Sequence, residues 1–174
     1  MLGSTLDDAA GDAFDKGARM LGLPYPGGPA LQRLAQDGDP AAFRFPTAAK
    51  VAGLDFSFAG VKTALLYAIR DHESADRADL AASYQRAIVE QLARKTEQAL
   101  VETGLTRLAI GGGVAANGPL RTRLAAIGAD LHVPPRALCT DNAAMIASAA
   151  RYVTPLLPGA YLDLDAFATG QRGL

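Results

Sequence analysis

Two apolar strands separated by a glycine run and a helix occupy the last third of the sequence, and they constrain the fold more than any other feature. The pattern predicts strands around residues 108–110 and 131–133, with a helix near residues 120–126 between them. Strands joined through a helix lie parallel, with a right-handed crossover. We therefore predict an α/β fold in which the glycines at 111–113 follow the carboxyl end of the first strand, where open α/β sheets bind ligands.

The sequence before this unit is predicted to be mainly helical. Its helices are one capped by Ser4 or Thr5 and ended by Gly22, a short one after Pro29, one over about residues 61–70, and the longest from Leu80 to Gly104. Asp7, Asp8 and Asp12 fit the start of the first helix, where the dipole favours carboxylates. Asp15 would lie in the second half of that helix, where a carboxylate gains nothing from the dipole.

Composition limits the partners and the compartment. Seventeen basic against eighteen acidic residues give a net charge of −1, so any RNA contact must be local or come from a partner. No apolar run approaches the roughly 20 residues of a membrane span, and the early Asp7 and Asp8 do not fit a signal peptide. We therefore expect a cytoplasmic protein without membrane contact.

The glycine loop and Asn117 are the strongest local signal for a ligand site. Without Cβ atoms, the backbone at Gly112 and Gly113 can lie against a phosphate or nucleoside, and the Asn117 amide can both donate and accept. The segment matches neither the P-loop nor the dinucleotide fingerprint. A tight strand-to-helix turn with Asn117 as N-cap explains the same residues, and both interpretations remain open.

The other candidate groups are single residues. Asp141 immediately precedes a last helix predicted over about residues 142–153, where it could bind a cation, although a capping role is favoured. His72 and His132 are isolated and far apart in the sequence, which argues against a shared metal site. Cys139, the single cysteine, excludes an internal disulfide, and without a histidine partner pattern it is interpreted as a buried thiol.

Five segments, in order and spacing, resemble the TsaD family. The segments are LDDAAG at 6–11 with AFDK at 13–16, LPYPGGP at 23–29, DFSFAGVKT at 55–63, GGVAAN at 112–117 and PPRALCTDNAAM at 134–145. They span nearly the whole chain, so the resemblance is specific.

The resemblance implies an actin-like ATPase (ASKHA) fold of two RNase H-like lobes. This chain would supply part of the second lobe over residues 1–154, with the N-terminal lobe missing. Its helical insert would cover about residues 28–103, and a nucleotide-facing βαβ part about residues 105–153. Independently of the resemblance, residues 155–174 are rich in Pro, Gly and small residues, which predicts a loosely packed C-terminal tail.

The resemblance also implies an acyltransferase, an N6-L-threonylcarbamoyladenine synthase. The family transfers threonylcarbamoyl from threonylcarbamoyl-AMP to N6 of adenosine 37 in tRNAs that read codons beginning with A. Asp15, Gly28 and Asn117 would contact the adenylate, and Gly112 and Gly113 would form the nucleotide loop. No catalytic side chain is assigned. The implied protein partners are of the TsaB and TsaE type, with TsaC-type enzymes making the intermediate.

By the same resemblance, Asp141 would be a ligand of one divalent metal ion, iron or zinc. The metal would polarise the carbamoyl carbonyl while the adenosine amine attacks and AMP leaves. The family's histidine motif H-x-x-x-H and its S-G-G-H phosphate loop are absent from this sequence. The other metal ligands would therefore lie outside the chain, and the adenylate would have one wall of its cleft here. Gln32 stands where many members carry an acidic residue.

Two functions remain open from the sequence. The first is an enzyme part that is inactive alone and works only with the missing N-terminal half. The alternative is a non-catalytic nucleotide-binding or partner-interaction module derived from TsaD.

A lobe cut within its sheet would expose apolar surface and an unpaired strand edge. We therefore expect the isolated chain to dimerise or aggregate. Size-exclusion chromatography with light scattering tests this, and a monodisperse monomer that unfolds cooperatively would contradict it.

Overall fold

The computed structural model describes residues 1–140 and 143–163, and the chain divides into two compact units, Met1–Thr140 and Asp141–Leu174. The helices and strands are α1 Ala10–Met20, α2 Gly27–Leu34, α3 Ala59–Asp71, α4 Arg77–Thr103, β1 Arg107–Ala109, α5 Gly118–Ala125, β2 Asp130–His132 and α6 Ala143–Ala149. Short 3₁₀ helices lie at Ala35–Asp37, Gly113–Ala116, Arg136–Leu138, Ala150–Tyr152 and Ala160–Asp163. The α/β class is as predicted.

Helix α4 is the central element of the first unit. The Asp76 side chain accepts a hydrogen bond from the Ala78 N–H and so caps its start, and Gly104 ends it in the left-handed conformation at φ 66°. The prediction of one long helix ended by Gly104 is confirmed. Buried residues occur on every side of α4 from Ala78 to Ala93, because other elements surround that part of the helix.

The larger hydrophobic core lies where α1, α2 and α3 pack around the N-terminal half of α4. Each helix contributes side chains that are at most 3% exposed, such as Phe14 from α1, Leu31 from α2, Leu65 from α3 and Ile88 from α4. Burial of such side chains is the main driving force for this arrangement.

Tyr84 fixes α1 against α4. Its side chain is fully buried, and its hydroxyl donates a 2.8 Å hydrogen bond to the Ala13 carbonyl oxygen. Burial raises the pKa of Tyr84, which keeps the phenol protonated as a donor. Gly17 permits the close approach, because a Cβ atom there would lie 2.3 Å from the tyrosine ring.

The strands β1 and β2 form a parallel pair, with Arg107 opposite Asp130, and the predicted pairing is confirmed. The central residues of the strands, Leu108 and Leu131, pack on a second core formed by α4 and α5. The residues on either side of them are exposed. The connecting helix α5 covers one face of the pair, as expected for a βαβ unit.

The first helix begins later than the sequence predicted. Helix α1 starts at Ala10, so Asp7 and Asp8 precede it and do not lie in its first turn. Thr5 instead forms an isolated parallel bridge with Phe56, flanked by backbone hydrogen bonds. The prediction was wrong because pairing with a distant segment of the chain holds these residues extended, and local capping rules do not include such pairing.

In the second unit, helix α6 (Ala143–Ala149) continues as the 3₁₀ turn Ala150–Tyr152, which agrees with the predicted last helix. The predicted division at residue 154 and the actin-like two-lobed architecture stay predictions. No helix among the described residues is both long and apolar enough to cross a membrane.

The Gly17→Ala variant should be destabilised by about 1–3 kcal/mol, because the added methyl group overlaps the Tyr84 ring. Gly60→Ala is the matched control near the start of α3, since its Cβ would lie 3.9 Å from Pro46, an ordinary van der Waals contact. That variant should change stability by less than about 1 kcal/mol. Urea unfolding of both variants measures the difference, and equal effects would show that the Gly17–Tyr84 contact is not tight.

Candidate functional site

The glycine loop connects β1 to α5 and lies open at the surface. Gly112 has φ +82°, a conformation that side chains rarely adopt, so glycine is required there. A 3₁₀ turn at Gly113–Ala116 follows, closed by a hydrogen bond from the Ala115 N–H to the Gly112 carbonyl oxygen. Built Cβ atoms at Gly112 and Gly113 would meet no atom of the described residues within 4 Å, so a ligand can reach this backbone.

Asn117 ends the loop and begins α5. Its Oδ1 accepts a 2.9 Å hydrogen bond from the Leu120 N–H, so the N-cap interpretation is confirmed. Its Nδ2 donates a 2.8 Å bond to Oε1 of Gln85 on α4, and both side chains are buried. Any contact of Asn117 with a ligand stays a prediction. It would have to use the second proton on Nδ2 or the second lone pair on Oδ1, because the two bonds occupy the others.

Asp15 and Gly28 are in direct contact. The Gly28 N–H has no acceptor within α2, because it lies in the first turn of that helix. It donates a 3.1 Å hydrogen bond to Asp15 Oδ1. Gly27 permits this contact, because a Cβ atom there would lie 2.7 Å from the Asp15 Cα. Among residues 1–140 and 143–163, no donor bonds Oδ2 of the half-buried Asp15, which leaves this oxygen as an acceptor for a ligand.

Two contacts connect helices α1 and α2, which carry Asp15 and Gly28, with the glycine loop and the start of α5. Gln32 on α2 accepts a 2.9 Å hydrogen bond from the Gly118 N–H at the start of α5. On α1, a Cβ at Gly11 would lie 3.7 Å from Val114 in the loop. The predicted adenylate residues and loop glycines therefore lie on neighbouring elements of one unit. We call Asp15, Gly28, Gly112, Gly113 and Asn117 the candidate site.

Asp7 caps a helix other than the one the sequence suggested. Its carboxylate accepts hydrogen bonds from the Phe58 N–H at 2.7 Å, the Ala59 N–H at 3.2 Å and the Ser57 hydroxyl, at the start of α3. Partial burial raises the pKa of Asp7. The three hydrogen bonds and the nearby charge of Lys62 together lower the pKa by more, so it lies below its ordinary value. Asp7 thereby holds the N-terminal segment on α3.

Asp8 forms ion pairs with two lysines. It bonds Lys16 of α1 at 2.6 Å and also contacts Lys62 of α3. The three side chains join α1, α3 and the segment before α1. Both lysines are therefore paired with a carboxylate inside the fold.

Arg121 on α5 extends the site toward the segment after β2. Its Nε donates a 2.6 Å hydrogen bond to the Ala115 carbonyl oxygen in the glycine loop. Its Nη2 donates to the Pro134 carbonyl oxygen at 2.8 Å and to Cys139 Sγ at 3.1 Å. Cys139 is 2% exposed, so the prediction of a buried thiol is confirmed.

The predicted metal ligand, Asp141, lies outside the described residues. Within residues 1–140 and 143–163, no group of three His, Cys, Asp or Glu side chains is placed to hold a metal ion. His72 follows α3 beside the Phe43 ring, and His132 is an exposed residue of β2. The described residues do not fit a metal centre by themselves, and the iron or zinc site stays a prediction.

The family model for TsaD, described as tRNA N6-adenosine threonylcarbamoyltransferase, matches residues 1–148. The chain belongs to the TsaD family. The resemblance found in five sequence segments is thereby confirmed for most of the chain's length.

Three TsaD relatives named tRNA N6-adenosine threonylcarbamoyltransferase match at similar levels. The protein of Anaeromyxobacter dehalogenans strain 2CP-1 is 56% identical over 158 residues, covering 86% of this chain and 47% of the relative. Those of Bordetella petrii and Paracidovorax citrulli are 55% identical over 161 and 158 residues, each covering 86% of this chain, with 46% and 45% of the relative covered. The chain spans about half the length of these curated relatives.

Sequence reasoning missed Gln85 and Arg121 and gave no role to Gln32. Gln85 is a polar residue within the buried part of α4, and such a residue needs a buried partner. That signal was present, but it could not name Asn117 as the partner. Arg121 has no local pattern that distinguishes it from other surface arginines of a helix.

Because the pKa of Asp7 is lowered in the folded state, its stabilisation is complete above its ordinary value of 3.8 and is lost as the pH falls through the lower folded value. Asp7→Asn should reduce stability by about 0.5–1 kcal/mol at pH 6, with the difference from wild type shrinking toward pH 2. Urea unfolding across this range measures it.

Ser57→Ala provides the graded comparison, because it removes only the hydroxyl donor and leaves both backbone bonds to Asp7. Its effect should have the same sign and pH dependence but be smaller. A constant difference between Asp7→Asn and wild type from pH 6 to pH 2 would show that the charge of Asp7 does not stabilise α3.

Proposed function

We propose that this chain supplies the second-lobe part of a tRNA N6-adenosine threonylcarbamoyltransferase. The reaction moves threonylcarbamoyl from threonylcarbamoyl-AMP to N6 of adenosine 37 in tRNAs that read codons beginning with A, in the cytoplasm. The N6 amine attacks the carbamoyl carbonyl carbon, the bond from that carbon to the AMP phosphate oxygen breaks, AMP leaves, and the amine loses a proton. Family membership supports the reaction class.

The observation that carries the proposal is the hydrogen bond between Asp15 and Gly28, on helices α1 and α2 that also contact the glycine loop and the start of α5. Both residues are half-buried, and Oδ2 of Asp15 remains available to a donor such as a ribose hydroxyl. The open backbone at Gly112 and Gly113 suits a phosphate or the face of a nucleoside. In the proposal, Asp15, Gly28 and Asn117 contact the adenylate.

The rest of the active site comes from elsewhere in the proposal. Asp141 would be one ligand of an iron or zinc ion whose other ligands lie outside these 174 residues. With a net charge of −1, the chain does not attract tRNA by its overall field, so partners of the TsaB and TsaE type and the N-terminal half supply that contact. Alone, the 174 residues do not catalyse the transfer.

Complementation tests the proposal. The chain is combined with the N-terminal half of the Anaeromyxobacter dehalogenans relative, the partner proteins, tRNA and threonylcarbamoyl-AMP, and the modified adenosine is measured by mass spectrometry. Transfer should occur only when both halves are present. Silence with both halves folded and associated would contradict the proposal and favour the non-catalytic interaction module.

Asp15→Asn tests the site within the active mixture. The amide oxygen can still accept the Gly28 N–H, so the fold is kept, but the negative charge offered to the adenylate is lost. Transfer should fall at least about tenfold. Asp12→Asn, an exposed change on the same helix, is the matched control and should keep the wild-type rate. Equal rates for the two variants would remove Asp15 from the site.

A further inference from the structure

One guanidinium connects the two chain segments that follow the parallel strands. Arg121 bonds Ala115 in the glycine loop after β1, and it bonds Pro134 and Cys139 in the segment after β2. Three hydrogen bonds from two nitrogen atoms of a single half-buried side chain thus fix the carboxyl ends of both strands relative to each other. Ligands of open α/β sheets bind at this edge.

We infer that Arg121 is a positioning residue, through which ligand binding at the glycine loop stabilises the packed conformation of residues 134–139. The inference rests on the proposed function, because it takes the loop as the adenylate site. Residues 134–139 lead in the sequence to Asp141, the proposed metal ligand. Arg121 therefore joins the loop that would hold the adenylate to the segment that precedes this carboxylate.

The chemistry of the contacts requires arginine. The planar guanidinium offers its N–H groups in fixed directions, and here Nε serves the glycine loop while Nη2 serves both the Pro134 carbonyl oxygen and Cys139 Sγ. A lysine ammonium is a single point on a flexible stem and cannot occupy both donor positions at once. Arg121→Lys should therefore behave as a loss of the coupling, although it keeps the charge.

Arg123 provides a matched control on the same helix. Its guanidinium bonds Glu90 at 3.1 Å and Glu97 at 3.0 Å, both on α4. Its contacts hold α5 on α4 and do not involve residues 134–139. Arg123→Gln therefore removes an equally half-buried arginine from α5 without loosening the segment after β2.

The alkylation rate of Cys139 measures how often residues 134–139 open to solvent, because Cys139 is the single cysteine of the chain and is 2% exposed. The rate of alkylation by iodoacetamide under native conditions is measured for the 174-residue chain and its variants. Each rate is divided by that of the same variant unfolded in urea, and urea unfolding also gives each variant's global stability. Arg121→Gln and Arg121→Lys should label about tenfold faster than wild type, beyond any change in global stability.

AMP then tests the coupling. The chain is combined with the N-terminal half used for complementation, AMP binding is measured by equilibrium dialysis, and alkylation of the Cys139 peptide is measured by mass spectrometry. At about ten times its Kd, AMP should slow alkylation about tenfold in wild type and Arg123→Gln. Arg121→Gln should still bind AMP but lose this protection, which a merely structural role would not produce.

The outcomes separate the inference from the proposed function. Equal alkylation of Arg121→Gln and Arg123→Gln without ligand would overturn the positioning role. If Arg121→Gln binds AMP and AMP slows its Cys139 alkylation as much as in wild type, the coupling would be overturned. Absence of AMP binding to the wild-type complex would contradict the proposed adenylate site itself. If Arg121→Gln does not fold, Arg121→Lys decides the same questions.

Discussion

The fold of the first unit depends on the burial of α4, whose N-terminal half is enclosed by the other elements. Four buried side chains of α4 make long-range hydrogen bonds. Tyr84 bonds α1, Gln85 bonds Asn117, and Gln91 bonds the Ser57 carbonyl oxygen before α3. Ser83 donates to the Asp39 carbonyl oxygen and accepts from the Phe43 N–H. Buried polar groups must find partners, so each bond admits few alternative positions of the element it reaches. The candidate site is thereby placed by a helix that contributes no residue to it.

Helix N-termini are the second organising feature. Asp7, Asp15 and Asn117 each accept a backbone hydrogen bond at the start of a helix, respectively α3, α2 and α5. Two of these residues belong to the candidate site, so they serve the fold and the proposed chemistry together. Alanine at Asp15 or Asn117 would remove a helix cap and a proposed ligand contact together, so a loss of stability could not be told from a loss of binding. Asparagine in place of Asp15 separates them, because the capping acceptor remains while the charge is removed.

Local patterns in the sequence predicted the elements whose signals lie within a few residues. The parallel strand pair, the long helix ended by Gly104 and the cap at Asn117 belong to this group. The start of α1 was predicted wrongly because Asp7 caps a helix about fifty residues later in the chain. Likewise, the contacts of Gln85 and Arg121 join segments distant in the sequence, and no spacing rule names such partners.

Within the candidate site, the resemblance to TsaD selected the residues and the fold explains how they meet. Asp15 and Gly28 are adjacent because glycine at position 27 lets α2 approach α1 closely. Asp141 lies outside the described residues, so its role as a metal ligand stays a proposal.

In the proposed function, Asp15, Gly28 and the glycine loop form one adenylate-binding surface. The amide NMR spectrum of the chain, assembled with the N-terminal half and titrated with AMP, tests this most directly. The amide signals of Gly28, Gly112 and Gly113 should shift together with one dissociation constant, while those of Gly104 and Gly128 stay in place. Saturable AMP binding that leaves the signals of Gly28 and the loop glycines unchanged would contradict this proposal.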